Sequence, residues 1–215
     1  MRILVTGFEP FGRDNLNASE QAVEQLAPHI EVDDIDVEVF TRILPVSFER
    51  GPRILAHTIA ELKPDAVIAV GEAGKRHDIS VELFARNVAH ARIPDNDGYQ
   101  ACQENLDEVA AVLQSRLPCQ EIIAELNVNG ISASESVDAG AYVCNAVFRS
   151  LLRTFSGPAG FIHVPAVRDS GVARVGAETD SDMGEGLQFS QADLSIADLA
   201  TALTLVCQVV ARNIV

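Results

Sequence analysis

An α/β fold with a largely parallel central sheet follows from three features of this sequence. Short runs rich in β-branched residues, 2–6 and 66–70, each stop at a glycine, Gly7 and Gly71, and read as strands buried on both faces. Other stretches carry apolar residues at spacings of three and four, the period of a helix packed on one side. The two kinds alternate along the chain, and that alternation builds βαβ units. At 215 residues the chain is long enough for one well-packed domain, and no linker or repeat divides it.

The elements follow in order. After the first strand, the loop Gly7-Phe-Glu-Pro-Phe-Gly12 leads to a helix predicted over about 19–27, closed by Pro28. Residues 37–43 form the next strand. Ser47 caps a helix with Phe48, Leu55, Ile59 and Leu62 on one face, ended by Lys63-Pro64. The strand 66–70 follows. Residues 79–88 read as extended, 91–98 as a turn-rich loop and 105–116 as helical by propensity, without a strong cap.

Pro118 opens a helix over 119–128, stopped near Gly130. A strand at 131–134 leads towards a second helix. There Tyr142, Val143, Val147, Leu151 and Leu152 form the apolar stripe, Ser136 and Asp138 are the expected caps, and Gly140 makes the turn. Residues 160–164 form a strand stopped by Pro165. Residues 168–189, rich in Gly, Asp, Glu and Ser, read as a mobile acidic excursion. The last helix runs over about 195–212, with Ile196, Leu199, Leu203, Val206, Cys207 and Val210 facing the core.

Composition excludes several classes. A formal charge of −15 argues against a nucleic-acid or anionic-membrane partner, because phosphates are repelled. No run reaches the length of a transmembrane helix, and the N-terminus starts on a strand pattern rather than a signal peptide, so a cytoplasmic location is expected. The four cysteines, at 102, 119, 144 and 207, show no metal-ligand spacing and no CxxC pair. They read as free thiols, and no metal or cofactor is expected.

Cys144 is the first candidate for chemistry. It falls within a turn of a helix N-terminus, where orphan N–H groups and the macrodipole favour the thiolate. The competing reading is a small buried hydrophobe. A thiol nucleophile needs a base, and the base needs a group that fixes its tautomer. Among the five histidines, His29 and His57 lie by early helices, and His77 and His90 read as surface residues. His163 ends a buried strand at the carboxyl edge, where α/β sheets place ligands. A core histidine accounts for it equally well on this ground alone. Glu82 sits inside the apolar run 79–85, where a carboxylate must be paired or at an edge. Glu82, Cys144 and His163 are thus the most economical triad.

At this point the chain resembles the type I pyroglutamyl peptidases, or pyrrolidone-carboxylate peptidases. The matching pieces are Val5-Thr-Gly-Phe-Glu-Pro-Phe-Gly12, Val70-Gly-Glu-Ala-Gly74 with Arg76, Val81-Glu82, Asn87, Ala91-Arg-Ile-Pro-Asp-Asn96, Ala139-Gly with Val143-Cys-Asn145, and Gly160-Phe-Ile-His-Val-Pro165. They occur in the family's order over about the first 165 residues.

The resemblance implies a single-domain three-layer α/β/α sandwich with a mostly parallel, twisted sheet, and commonly a homotetramer. It implies a cysteine exopeptidase that frees N-terminal pyroglutamate from peptides through a thioacyl-enzyme. Cys144 would be nucleophile, His163 base then acid, and Glu82 the orienting carboxylate. Phe8 and Phe11 would line the pocket for the flat lactam, with Glu72, Tyr142 and Val143 beside it and Arg92 near the developing oxyanion.

The chain departs from the family pattern at several places. Glu72 stands where the family has Gln, and Lys75, three residues on, is expected to pair with it. Val137-Asp138 replaces Asn-Thr, and a Pro- and Gly-rich loop usually occupies the 105–116 region. Two other readings are a phosphorylase-like α/β protein binding a small ligand and a catalytically weak homologue.

Overall fold

The computed structural model describes residues 1–167 and 194–214. Among these the strands are β1 (Arg2–Phe8), β2 (His29–Val32), β3 (Ile35–Leu44), β4 (Ala66–Ala73), β5 (Ile79–Glu82), β6 (Phe84–Ala85), β7 (Leu113–Gln114), β8 (Ala133–Ser136) and β9 (Ala159–Pro165). The helices are α1 (Ala18–Glu24), α2 (Arg50–Leu62), α3 (Cys119–Val128), α4 (Val143–Thr154) and α5 (Ile196–Arg212). Seven strands form one sheet in the order β2-β3-β1-β4-β9-β5-β8, and β6 and β7 pair separately.

The sheet is parallel between β1 and β3, β1 and β4, β4 and β9, and β5 and β8. It is antiparallel between β2 and β3 and between β5 and β9. Alternation of side chains along the buried strands then fixes the layers. Ile3, Val5, Ile68, Val70, Ile162 and Val164 point to one face, where α1, α3 and α5 pack. Leu4, Val67, Ala69 and Phe161 point to the other, where α2 and α4 pack. The result is the expected three-layer α/β/α arrangement with a mostly parallel sheet.

Several local readings match. The α3 helix spans 119–128 as expected, and Gly130 beyond it has φ +78°, a left-handed turn that suits glycine. A capping box between Ser195 and Asp198 starts α5. Ser47 Oγ accepts from the N–H of Arg50 at 2.9 Å, although the residue next to the helix is Glu49.

Others are corrected. Gly71 does not end β4, which pairs with β9 as far as Ala73. The strand β2 escapes the hydrophobic pattern because it is a polar edge strand, joined to β3 by Asp33-Asp34 with φ of 46° and 67°, a hairpin turn with two left-handed residues. The strand before α4 starts at Ala133 rather than 131, because the Ile131 N–H is used by the Leu126 carbonyl at the end of α3. Helix α1 stops at Glu24, short of Ala27. The acidic segment 168–189 lies outside the described residues.

The expected helix at 105–116 is absent, for a nameable reason. Backbone groups between Leu106 and Ala111 bond to side chains from elsewhere, and Leu113–Gln114 pair with β6 instead. Asn87 Oδ1 accepts from the N–H of Leu106 at 2.8 Å and of Asp107 at 3.0 Å, and its amide donates to the carbonyls of Asp107 and Val109. Arg149, 1% exposed on α4, donates to the carbonyls of Ala111 at 3.0 Å and Val109. It also holds the Asp107 carboxylate through two bonds of 2.7 and 2.9 Å.

The Arg149 hydrogen bond pulls the Asp107 carboxyl down to about 2, against the burial that opposes it. Arg149→Met should lower stability by about 2–3 kcal/mol in urea unfolding, below the range for a fully buried broken pair because Asp107 keeps water and Arg153. A folded-state value below the unfolded one means stability is present above the unfolded pKa. The advantage of the native chain over Asp107→Asn should therefore be full above about pH 4. It should fade as the pH falls towards about 2.

Candidate active site

A cavity of about 320 Å³ opens at the carboxyl ends of β4 and β9. That is the edge at which parallel sheets of this kind bind ligands, since the loops there diverge and leave a crevice. Cys144 and His163 both line it.

His163 lies near the end of β9 and pairs in register with Gly71 on β4 and with Ser80 on β5. Glu82 stands two residues beyond Ser80, so its side chain is the diagonal neighbour of His163 on one sheet face. The result is a 2.7 Å contact between His163 Nδ1 and Glu82 Oε1, with Glu82 wholly buried. Phe161, on the same face of β9, packs its ring 4.8 Å from the imidazole. Ring and carboxylate together hold the histidine in one orientation.

Cys144 is the second residue of α4, after the N-cap Tyr142. Gly71 explains how the sulfur reaches the sheet: a Cβ added there would come within 2.9 Å of Cys144 Sγ and of the Phe161 ring. The thiol thus occupies the space of the missing side chain, over the strand position paired with His163. The expected caps are corrected. Asp138 Oδ1 accepts from the Gly140 N–H and pairs with Arg86, and no side chain caps α4. Gly140 makes the turn with φ +80°.

The charge balance also differs from expectation. Burial, then the Glu82 charge, pushes the Cys144 thiol up to about 12, against the pull of Arg76. Both act against the thiolate that the helix terminus favours. For Glu82 burial acts upward, but the hydrogen bond and charge of His163, then Arg76 and Ser136, outweigh it and hold the carboxyl below its usual range. Glu82 is thus a carboxylate, and it accepts from the Nδ1–H of His163.

Of the expected pocket residues, Phe11, Glu72, Arg92 and Tyr142 line the cavity. Phe11 and Tyr142 stack with centroids 5.6 Å apart, and Phe48 meets Tyr142 edge-on at 5.5 Å. The Tyr142 hydroxyl donates to the Pro94 carbonyl at 3.1 Å. Phe8 and Val143 are instead core residues, 2% and 1% exposed, because each points into the layer between the sheet and α2 and α4. Glu72 faces the opposite side from Gly71, and its Oε2 accepts from the Ala18 N–H at 2.5 Å, at the start of α1.

His90, expected at the surface, lines the cavity instead, as do Arg76, quoted in the motif without a role, and Arg86, which sequence reasoning passed over. Arg76 had a signal available: a cation six residues before a carboxylate in an apolar strand. Among the described residues no cluster of three or more metal-ligating side chains occurs, and no helix is long and apolar enough to cross a membrane.

A family model for pyroglutamyl peptidase matches residues 1–195. A pyrrolidone-carboxylate peptidase of Thermococcus litoralis is 37% identical over 214 residues, covering 95% of this chain and 93% of its own length. One from Enterobacter sp. (strain 638) is 43% identical over 180 residues, 81% of this chain and 83% of the relative. Among solved structures, pyroglutamyl peptidase I of Bacillus amyloliquefaciens superposes with a TM-score of 0.86 at 31% identity, covering 98% of this chain and 97% of that one.

The packing at Gly71 makes a direct prediction. Gly71→Ala should cost about 1–3 kcal/mol through overpacking, as inserted methyls do in tight cores. The added methyl must displace the sulfur or the Phe161 ring, so iodoacetamide should modify Cys144 at a clearly altered rate. Wild-type stability with a wild-type alkylation rate would contradict this packing.

Proposed function

This chain belongs to the pyroglutamyl peptidase family, and from that premise we propose that it is a cysteine exopeptidase. It hydrolyses the bond after an N-terminal pyroglutamyl residue, using Cys144, His163 and Glu82. The observation that carries the reading is the 2.7 Å contact between buried Glu82 and His163, which lines the cavity together with Cys144.

In this mechanism Glu82 accepts from Nδ1–H and leaves Nε2 as the nitrogen able to take a proton. His163 removes the thiol proton as Cys144 Sγ attacks the pyroglutamyl carbonyl. A raised thiol pKa favours this concerted transfer over a preformed thiolate. The developing oxyanion is stabilised by fixed positive charge, for which Arg92 is placed on the cavity wall. His163 then protonates the departing amine, the C–N bond breaks, and a thioacyl-enzyme remains. Water, activated by the same imidazole, attacks that thioester, and the sulfur leaves to regain its proton.

Phe11 and Tyr142 supply the aromatic wall for the flat lactam. Glu72 adds a group that can only accept hydrogen bonds, which suits the lactam N–H. Pyroglutamate has no free α-amine, so no carboxylate is needed to anchor an ammonium. Assembly as a homotetramer belongs to the same reading, and sedimentation tests it.

The decisive experiment is release of a fluorophore from a pyroglutamyl conjugate, sensitive to iodoacetamide and insensitive to phosphate. Cys144→Ser should fold and lose turnover by orders of magnitude, since an alkoxide is far harder to form than a thiolate. His163→Ala should be as severe, whereas Glu82→Gln should retain a residue of activity. Near-native turnover in Cys144→Ser would remove the mechanism.

The thiol's protonation makes its own prediction. In the free enzyme, Cys144 alkylation should rise with pH only beyond the ordinary thiol value of ~8.5. A midpoint below that value would show that the helix terminus, not burial, governs the sulfur.

A further inference from the structure

Behind the Cys144–His163–Glu82 constellation stands a fourth residue that the proposed mechanism does not use. Arg76, from the turn after β4, donates from Nη1 to Glu82 Oε1 at 2.6 Å, the same oxygen that holds His163. Its other terminal nitrogen, Nη2, donates to Ser136 Oγ at 3.2 Å and to the Asp138 carbonyl at 2.9 Å. Ser136 ends β8 and Asp138 lies in the loop that turns into α4, two residues from Gly140 and six from Cys144. The guanidinium therefore bridges the carboxylate that orients the histidine and the loop that carries the nucleophile.

We propose that Arg76 is a positioning residue that locks Glu82 in register with His163, fixes the loop before α4, and sets the charge against which the Cys144–His163 pair titrates. The proposal rests on the reading of that pair as nucleophile and base.

Three physical reasons support it. Glu82 is wholly buried, and an uncompensated carboxylate there costs several kcal/mol. A histidine must give up its charge to act as a base, so of the two groups on Oε1 Arg76 is the one whose charge is permanent. The planar fork of a guanidinium can reach Glu82 and the loop together, whereas a lysine ammonium on a flexible stem is a single point charge.

The charge effect has a definite sign. Of the charges that act most on Cys144, Arg76 is the cation. Glu72, at the end of β4, acts on Cys144 in the direction opposite to Arg76. Asp138 is matched by Arg86 at 2.6 Å. Lys75, His90 and Arg92 line the same cavity from the turn after β4 and the segment after β6. Removing Arg76 deletes a positive charge beside Glu82, so every protonated form of the Cys144–His163 pair is favoured. Both limbs of the pH profile must move upward.

The test compares Arg76→Met, Arg76→Lys and the native enzyme, reading kcat/KM against pH for a pyroglutamyl fluorophore and Cys144 alkylation against pH without substrate. Arg76→Met should lower the plateau about ten- to a hundredfold, the range seen when a partner behind a functional ligand is removed. It should also shift both limbs and the alkylation midpoint upward. Arg76→Lys should hold the limbs near native and still lose plateau activity, because it cannot bridge both groups.

In a Glu82→Gln background, Arg76→Met should still move the alkylation midpoint upward, since its charge acts on Cys144 directly, but should cost less plateau activity, since the positioning part runs through Glu82. Folded Arg76→Met with native limbs, or Arg76→Lys with a native plateau, overturns the proposal. Should Arg76→Met fail to fold, the Arg76→Lys plateau decides. Alkylation reads the sulfur without turnover, so loss of the peptidase reading and loss of the Arg76 role give different results.

Discussion

The site depends on one buried carboxylate. Glu82 lies in the sheet with no solvent contact, and it stays ionised because its Oε1 is shared by Arg76 and His163. A lone carboxylate in that position would be neutral or would unfold the strand end. Once it is ionised, the imidazole tautomer follows, and with it the nitrogen that faces the chemistry. The cation comes from the turn after β4, the histidine from β9 and the carboxylate from β5. The order of strands in the sheet is therefore the condition for the site.

The second constraint is steric. Close approach of α4 to the sheet is possible because Gly71 leaves room for a sulfur atom between β4 and the Phe161 ring. The same crowding desolvates the thiol and, with Glu82 nearby, pushes its pKa up. Tight placement and thiolate stability pull in opposite directions here. The outcome is a nucleophile that needs its base during attack rather than before it.

The cavity wall is held by polar side chains that replace regular secondary structure. Buried Asn145, next to the nucleophile, accepts from the Arg86 N–H and donates to the carbonyls of Arg86 and Val88, tying the strand-like segment after β6 to α4. Asp95 accepts from the N–H groups of Phe48, Asp97 and Tyr99, which seats the loop beneath the Tyr142 ring. Asn96 donates to Glu9 Oε1 and the Pro10 carbonyl and so fixes the loop that carries Phe11. Such loops hold shape because these side-chain bonds add to scattered backbone pairs such as Ala91 N–H to Ala101 O and Asn96 N–H to Val46 O.

The sequence by itself determined the sheet-and-helix alternation, the two faces of the sheet, the span of α3 and the start of α5. These follow from periodicity and turn chemistry, which act over a few residues. The motifs also made the family legible. What only the tertiary structure decided were matters of long-range contact. Asn87 and Arg149 took backbone bonds between Leu106 and Ala111, β6 paired with Leu113–Gln114, and the helix that propensity allowed did not form. Strand alternation on β1 sent Phe8 into the core and the packed face of α4 took Val143 there, while Phe11 and Tyr142 kept the cavity. The balance at Cys144 was set by burial and by a carboxylate from a strand 62 residues earlier in the chain, not by its own helix. Short-range pattern encodes which elements form, whereas ionisation and pocket shape depend on which distant side chains those elements bring within a few ångströms.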